Sequence, residues 1–316
     1  MSSRTLPAGS RTTEGALAPS TTRVPLTWRM RRYLGYVFIA PWLVAFLAFD
    51  LVPTLSAFYY SFTDWNVIAK QSNWIGLDNY HEMFTDDRLY WKSVYNTLYY
   101  VAFAVPLGVV AGFVLALLLN TKVRFQGMFR TLFYLPAVVP TVAATMVWLW
   151  IFDTNNGILN WALGLVGVDP IRWLTSPDYS KSALIIMSLW SIGGGMVIYL
   201  AGLQNIPQDL YEAADVDGAS WFSKLVNITI PLMTPTIFFN LLLGLIASFQ
   251  VFNAAFIMTG GGPVNSTRFY MLHLYEKAFQ DSQMGYACAM AVLLFLVVLL
   301  ITIFVNWTSK RWVFYG

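Results

Sequence analysis

The chain has 316 residues, 57% of them hydrophobic and only 11% charged, and its mean hydropathy is +0.57. That leaves too little polar surface to solvate a soluble protein of this length, so lipid must be the solvent for much of it. The formal net charge of +3 does not point to nucleic acid, because the basic residues flank apolar stretches instead of forming a patch.

Residues 1–32 are rich in Ser, Thr, Arg and Pro and lack an apolar core, which predicts a disordered, basic cytoplasmic tail. The remainder, 33–316, is expected to be one membrane domain. Its first span, about 33–60, is too long for the apolar core of a signal peptide and so reads as retained. Asp50 lies in the outer half of that span, where a local structural role, a contact with an external partner and substrate or ion handling are all open to it. An outer loop from Thr63 to Lys92 follows, richer in acidic than basic residues.

Five more apolar runs complete the pattern, at about 98–119, 131–152, 182–203, 234–258 and 284–307. Runs of this length with few or no charges read as membrane-spanning helices, so the expected fold is an all-α polytopic protein with six transmembrane helices. The arginines of the tail, the short loop carrying Lys122, Arg124 and Arg130, and the terminal Lys310 and Arg311 belong on the cytoplasmic side by the positive-inside rule. Both termini are then cytoplasmic. Pro41, Pro53, Pro106, Pro136, Pro140 and Pro235 fall in or beside spans, where each removes a backbone donor and bends or packs the helix. Gly108 and Gly112 form a G-x-x-x-G spacing that permits close helix approach.

The segment 204–231, between the fourth and fifth spans, breaks the charge rule. Asp209, Glu212, Asp215 and Asp217 face only Lys224 there. The D-x-x-E pattern of Asp209 and Glu212 predicts a capping box and a helix starting at Leu210. Gly218 would end that helix in the left-handed conformation, and Ser220 would cap a second helix from Trp221 to Asn227. Pro231 marks entry to the fifth span. The small residues Ala213 and Ala214 offer a face that another protein's backbone can approach.

No phosphate-binding G-x-x-x-x-G-K-[ST] loop is present, nor a His-Glu-x-x-His pair, a nucleophile elbow or a titratable relay in the central halves of the spans. No catalytic residue and no metal ligand is expected, His81 and His273 included. The single cysteine, Cys288, cannot form an intrachain disulfide.

Glu212-Ala213-Ala214, then Gly218, then Ile228-Thr229-Ile230-Pro231 resembles the EAA loop of ABC importer permeases, with Ile230 where a leucine is usual. Met258-Thr259-Gly260-Gly261-Gly262-Pro263 and Gly76-Leu77-Asp78-Asn79-Tyr80 resemble segments of the carbohydrate-uptake branch, MalF/UgpA type. The resemblance implies a permease subunit of a bacterial or archaeal cytoplasmic membrane that pairs with a second permease of the MalG/UgpE type. It also implies two copies of a cytoplasmic ABC ATPase, which bind ATP and Mg so that this chain needs no cofactor, and an extracytoplasmic solute-binding protein that delivers a sugar or oligosaccharide. A polyol or glycerol phosphate is the alternative solute. Glu212, Ala213, Ala214, Asp217, Gly218, Ile228 and Pro231 are the implied ATPase-coupling residues. The implied substrate pathway comprises Trp190, Ser191 and Gly194 in the fourth span and Gly244, Ser248 and Val251 in the fifth. Gln250 and Asn253 are further polar candidates, Asn253 standing where many relatives have Asp.

Overall fold

The computed structural model describes residues 28–69, 72–121 and 124–314. The expected tail, apart from 28–32, and Lys122 of the basic loop lie outside the described residues. Among those described, the regular structure is helical, with only two isolated β-bridges, Thr63 to Trp74 and Asn66 to Gln283. Internal contacts divide the chain at Thr54/Leu55.

The N-terminal unit contains helix α1 (Trp28–Ala45), which starts inside the stretch expected to be tail, and a π-helical turn, Phe46–Leu51. Asp50 sits in that wide turn, and the Thr54 hydroxyl donates to its carbonyl oxygen at 2.6 Å. Pro53, in helix α2 (Val52–Tyr60), offers no N–H to the turn before it. A π turn absorbs such a loss by moving the bonding pattern one residue on, and Val52 N–H accordingly reaches Leu47 O. The same device recurs at Leu225–Thr229, two residues ahead of Pro231, where Ile230 N–H reaches Leu225 O.

The larger unit is organised around α4 (Arg88–Asn120). Its 33 residues at roughly 1.5 Å each give a rod of about 50 Å, longer than the ~30 Å hydrocarbon core. The extra turns lie at its N-terminal end, ahead of the expected start at 98. There Asp87 caps the helix by accepting from Leu89 N–H at 2.9 Å and Tyr90 N–H at 3.1 Å. Before it, α3 (Asp78–Thr85) follows a turn at Gly76, whose φ of 65° suits a residue without Cβ. Asn79 ties this turn back by donating to the carbonyls of Ser61 and Thr63 at 2.9 Å each.

Three expected spans differ from straight helices. The third is α5 (Gln126–Val138) and α6 (Thr141–Ile151), set at 100° to one another. Pro140 explains the break, because it forces the preceding Val139 into an extended conformation. The fourth is α8 (Pro177–Leu189) and α9 (Gly193–Gln204), bent by 45° at residues 190–192. A short helix, α7 (Ile158–Gly164), lies in the loop before α8. The fifth begins earlier than expected, as α12 (Ile230–Phe249), and ends at Phe249 instead of Met258. Gln250–Phe252 leave the helix and α13 (Asn253–Met258) is separate. Irregular backbone within an apolar run is tolerated where it lines a cavity, and Gln250, Val251 and Phe252 do so. Helix α14 (Tyr270–Tyr275), a third π turn (Glu276–Gln280) and α15 (Met284–Ser309) complete the chain.

Helix α4 packs against α8, α9 and α12. Two apolar clusters form the core around it. One gathers Tyr100, Ala104, Phe152, Leu184, Phe269 and Leu272, and the other Ala116, Leu119, Met196, Tyr199, Leu203 and Met233. Helix α4 contributes Tyr100 and Ala104 to the first and Ala116 and Leu119 to the second, and between them it presents Gly108 and Val109 to a cavity.

Candidate functional site

That cavity, about 490 Å³, is walled by α4, α9 and α12. Its position follows from glycines of two kinds. Gly193 must be glycine, because a Cβ there would overlap the carbonyl oxygen of Phe133 where α9 crosses α5. Gly194 and Gly244 meet nothing closer than Ala137 Cβ at 3.9 Å and Val105 Cγ1 at 3.6 Å, so their lack of side chain leaves space in the wall. Ser191, Gly194, Gly244, Ser248 and Val251 of the expected pathway line this cavity together. Trp190, Gln250 and Asn253 do not. They line a second cavity of about 310 Å³ against Pro136, Val139 and Thr141, at the break in the third span. The two cavities share Tyr100, Ser188, Ser191 and Val251.

The hydroxyls in the shared wall are held by their own helix. Ser188 donates to Ile185 O at 2.6 Å and sits in hydrogen-bonding reach of the Tyr100 hydroxyl, while Ser191 donates to Ser188 O at 3.1 Å and keeps its oxygen able to accept from an entering molecule. Trp190 meets Trp148 edge-on, with ring centroids 6.2 Å apart. A surface of serine hydroxyls, small residues and indole suits a polyhydroxylated ring with apolar C–H faces. Among the described residues, no lysine or arginine lines either cavity. Tyr100, Ser188, Gly195, Tyr199 and Asn240 also line the first cavity and were not singled out from the sequence. Of these, only Asn240, an amide inside an apolar run, carried a local signal.

The second candidate element is the loop expected at 204–231. Its first helix, α10, spans Gln208–Val216, and Pro207 is its N-cap with no side-chain capping bond. The expected capping box is therefore absent: Pro207, at φ −56° and ψ 130°, sets the helix start, so Asp209 falls in the first turn instead of before it. Gly218 has φ 75°. Its N–H bonds Asp215 O at 3.1 Å, and Ala219 N–H bonds Ala214 O at 2.9 Å. This is the double closure of a Schellman turn. Ser220 then caps α11 (Trp221–Lys224) by accepting from Ser223 N–H at 3.2 Å. This second helix does not stop at Asn227 but continues through the π turn into α12, with Pro231 in the first turn.

Two contacts pin the loop to its own chain. Tyr211 and Thr229 hydroxyls lie 2.8 Å apart, and Lys224 Nζ is 2.6 Å from Asp215 Oδ1. Glu212, Ala213, Asp217 and Gly218 are exposed, while Ala214, Ile228 and Pro231 are half-buried. Val216 is 89% exposed, and Trp221 and Phe222 are exposed beside it.

At the opposite end of α4, side chains lock three distant segments. Asp87 Oδ2 accepts from His273 Nε2 at 2.7 Å and from the Tyr286 hydroxyl at 2.8 Å. Burial pushes the Asp87 carboxyl up, but the bonds from His273 and Tyr286, with the imidazole's charge and a backbone N–H, pull it down by more and hold it below the usual value. Asn96 donates to the carbonyls of Asn265 and Arg268 at 2.8 and 3.1 Å. These bonds anchor the segment that follows Met258–Pro263, in which Gly260 and Gly261 have φ of 55° and 85°.

Residues 104–313 match the family described as "Binding-protein-dependent transport system inner membrane component". The chain is 42% identical over 285 residues to the probable ABC transporter permease protein YesP of Bacillus subtilis, covering 89% of this chain and 92% of that protein. It is 34% identical over 271 residues to the trehalose/maltose transport system permease protein MalF of Thermococcus litoralis, covering 85% and 91%. Among solved structures it resembles a bacterial ABC transporter involved in the import of the acidic polysaccharide alginate. That match has a TM-score of 0.78 and 26% identity, and covers 89% of this chain and 96% of that one.

Proposed function

The chain belongs to the family of binding-protein-dependent transport system inner membrane components, and from that premise we propose that it forms half of the translocation pathway for a sugar or oligosaccharide. It is a transport subunit of the type I ABC importer fold, and ATP hydrolysis belongs to a separate partner. The observation that carries the solute is the joint lining of the central cavity by Ser191, Gly194, Gly244 and Ser248 beside Tyr100. Hydroxyls, glycine-made space and an aromatic ring match a carbohydrate. A phosphate ester would enter a wall in which no described residue is lysine or arginine, which argues against glycerol phosphate.

The partners follow from the family and from the exposed loop. A solute-binding protein delivers the sugar on the extracytoplasmic side, and a solved relative is described in complex with an alginate pentasaccharide-bound periplasmic protein. A MalG/UgpE-type permease supplies the other half of the pathway. Two ATPase copies dock on the permeases, one of them through Glu212, Ala213, Val216 and Asp217 here, the exposed residues of the Schellman-terminated helix. Both termini face the cytoplasm. Nucleotide and binding protein drive the cycle through their different affinities for the inward- and outward-facing states. The test is reconstitution of the chain with a second permease, the ATPase and the binding protein in liposomes. ATP-dependent accumulation of a carbohydrate is expected; accumulation of none would refute the assignment.

A further inference from the structure

The cytoplasmic end of the central cavity is built around a phenol. Tyr199, in α9, is 1% exposed, and its hydroxyl is buried with no hydrogen-bond partner among the described residues. Its ring lies in a slot made by missing side chains. A Cβ on Gly112 would sit 3.3 Å from Tyr199 Cε2, and one on Gly195 would sit 4.0 Å from the same atom. Phe113 closes the slot edge-on, with centroids 5.6 Å apart. Asn240 stands alongside, since a Cβ on Gly195 would also lie 3.1 Å from its Oδ1. Its Nδ2 donates to Thr236 O at 3.0 Å, which turns the amide oxygen to the free side. Both residues line the cavity.

A buried hydroxyl without a partner is costly, and phenylalanine would fill the same slot without that cost. The pair also has a definite depth. Asn240 is one helical turn nearer the cytoplasm than Gly244 on α12, and Tyr199 is more than one turn beyond Gly194 on α9. The apolar cluster to which the Tyr199 ring belongs continues beyond this level with Leu203 and Met233. A phenolic O–H that donates and an amide oxygen that accepts match the hydrogen-bonding capacities of sugar hydroxyls.

We infer that Tyr199 and Asn240 form an inner polar station of the pathway, binding sugar hydroxyls after they leave the Ser191/Ser248 level and before the solute passes the apolar cluster. This inference rests on the carbohydrate reading above and adds residues that set affinity at the inward end.

The test uses the complete complex in liposomes with radiolabelled maltose, maltotriose, trehalose and arabinotriose, and with monodeoxy analogues of whichever sugar the wild type accumulates. Tyr199→Phe is expected to raise the KM for that sugar about 5- to 10-fold. It should also erase the wild type's discrimination against at least one monodeoxy analogue, while ATPase retention stays unchanged. Asn240→Ala carries the same expectation and stands in if Tyr199→Phe assembles poorly. A KM within twofold of wild type and an unaltered analogue preference would overturn the station and leave the carbohydrate reading intact. No accumulation of any of the four sugars by the wild type would refute the carbohydrate reading itself.

Discussion

Replacing Gly218 with valine isolates the conformational demand of the proposed docking loop. The residue has φ 75°, and nothing lies within 4 Å of a Cβ built there, so the substitution creates no clash. Its whole cost is that of holding a β-branched residue in the left-handed region, about 1–2 kcal/mol. If the backbone relaxes to avoid that cost, the bonds that close the carbonyls of Ala214 and Asp215 are lost, and the exposed face at Glu212, Ala213 and Val216 turns away from its present orientation. A penalty of this size corresponds to a roughly 5- to 30-fold loss in the population of the native loop. Gly218→Asn serves as the control, because asparagine tolerates the left-handed region. The assay is co-purification of the ATPase with the affinity-tagged permease pair, alongside uptake in liposomes. Gly218→Val should insert and pair normally, retain far less ATPase and transport little, whereas Gly218→Asn should stay near wild type. Wild-type ATPase retention and uptake in Gly218→Val would refute the docking role. Equal impairment in both variants would refute the conformational explanation.

Ser248→Trp fills the central cavity without touching the docking loop, so it should abolish uptake while complex yield and basal ATPase activity remain; normal uptake would remove Ser248 from the pathway. Gly193→Ala places a methyl on the Phe133 carbonyl, and overpacking of this kind costs about 1–3 kcal/mol. Its melting temperature in detergent should fall clearly, whereas Gly194→Ala, with no neighbour closer than 3.9 Å, should not. Asp87 gives a pH prediction. Its carboxyl is held below the ordinary 3.8, so its contribution is complete above that pH and is lost as pH falls through the lower folded value. The wild type should therefore lose stability in a step below pH 3.8 that Asp87→Asn lacks, and the variant should be weaker by about 1–3 kcal/mol at neutral pH. An acid profile shared by the two proteins in thermal scans would dismiss this account.

The readings that stood on sequence alone are those whose physics is local. Lipid solvates a run of apolar residues whatever its neighbours in space, so the membrane class and helices such as α4 and α15 could be read from hydropathy. Gly218 and Ser220 act on backbone groups within five residues, so the turn and the second cap of the 204–231 loop were equally visible. The capping box at Asp209 and Glu212 failed for a reason nearby in the chain: Pro207 already started the helix. Tertiary structure decided what depends on helices meeting. Asp87 and His273 are far apart in the chain, and only the packing of α14 beside the first turn of α4 brings them into contact. Trp190, Gln250 and Asn253 were grouped with Gly194 and Ser248, but the bend at residues 190–192 and the unwinding after Phe249 place them in a neighbouring cavity. Tyr199 read as one more aromatic in an apolar helix. Its hydroxyl became significant only once Gly112 of α4, Gly195 of α9 and Asn240 of α12 closed around it, because whether a polar atom is partnered depends on three helix rotations that no stretch of one helix encodes.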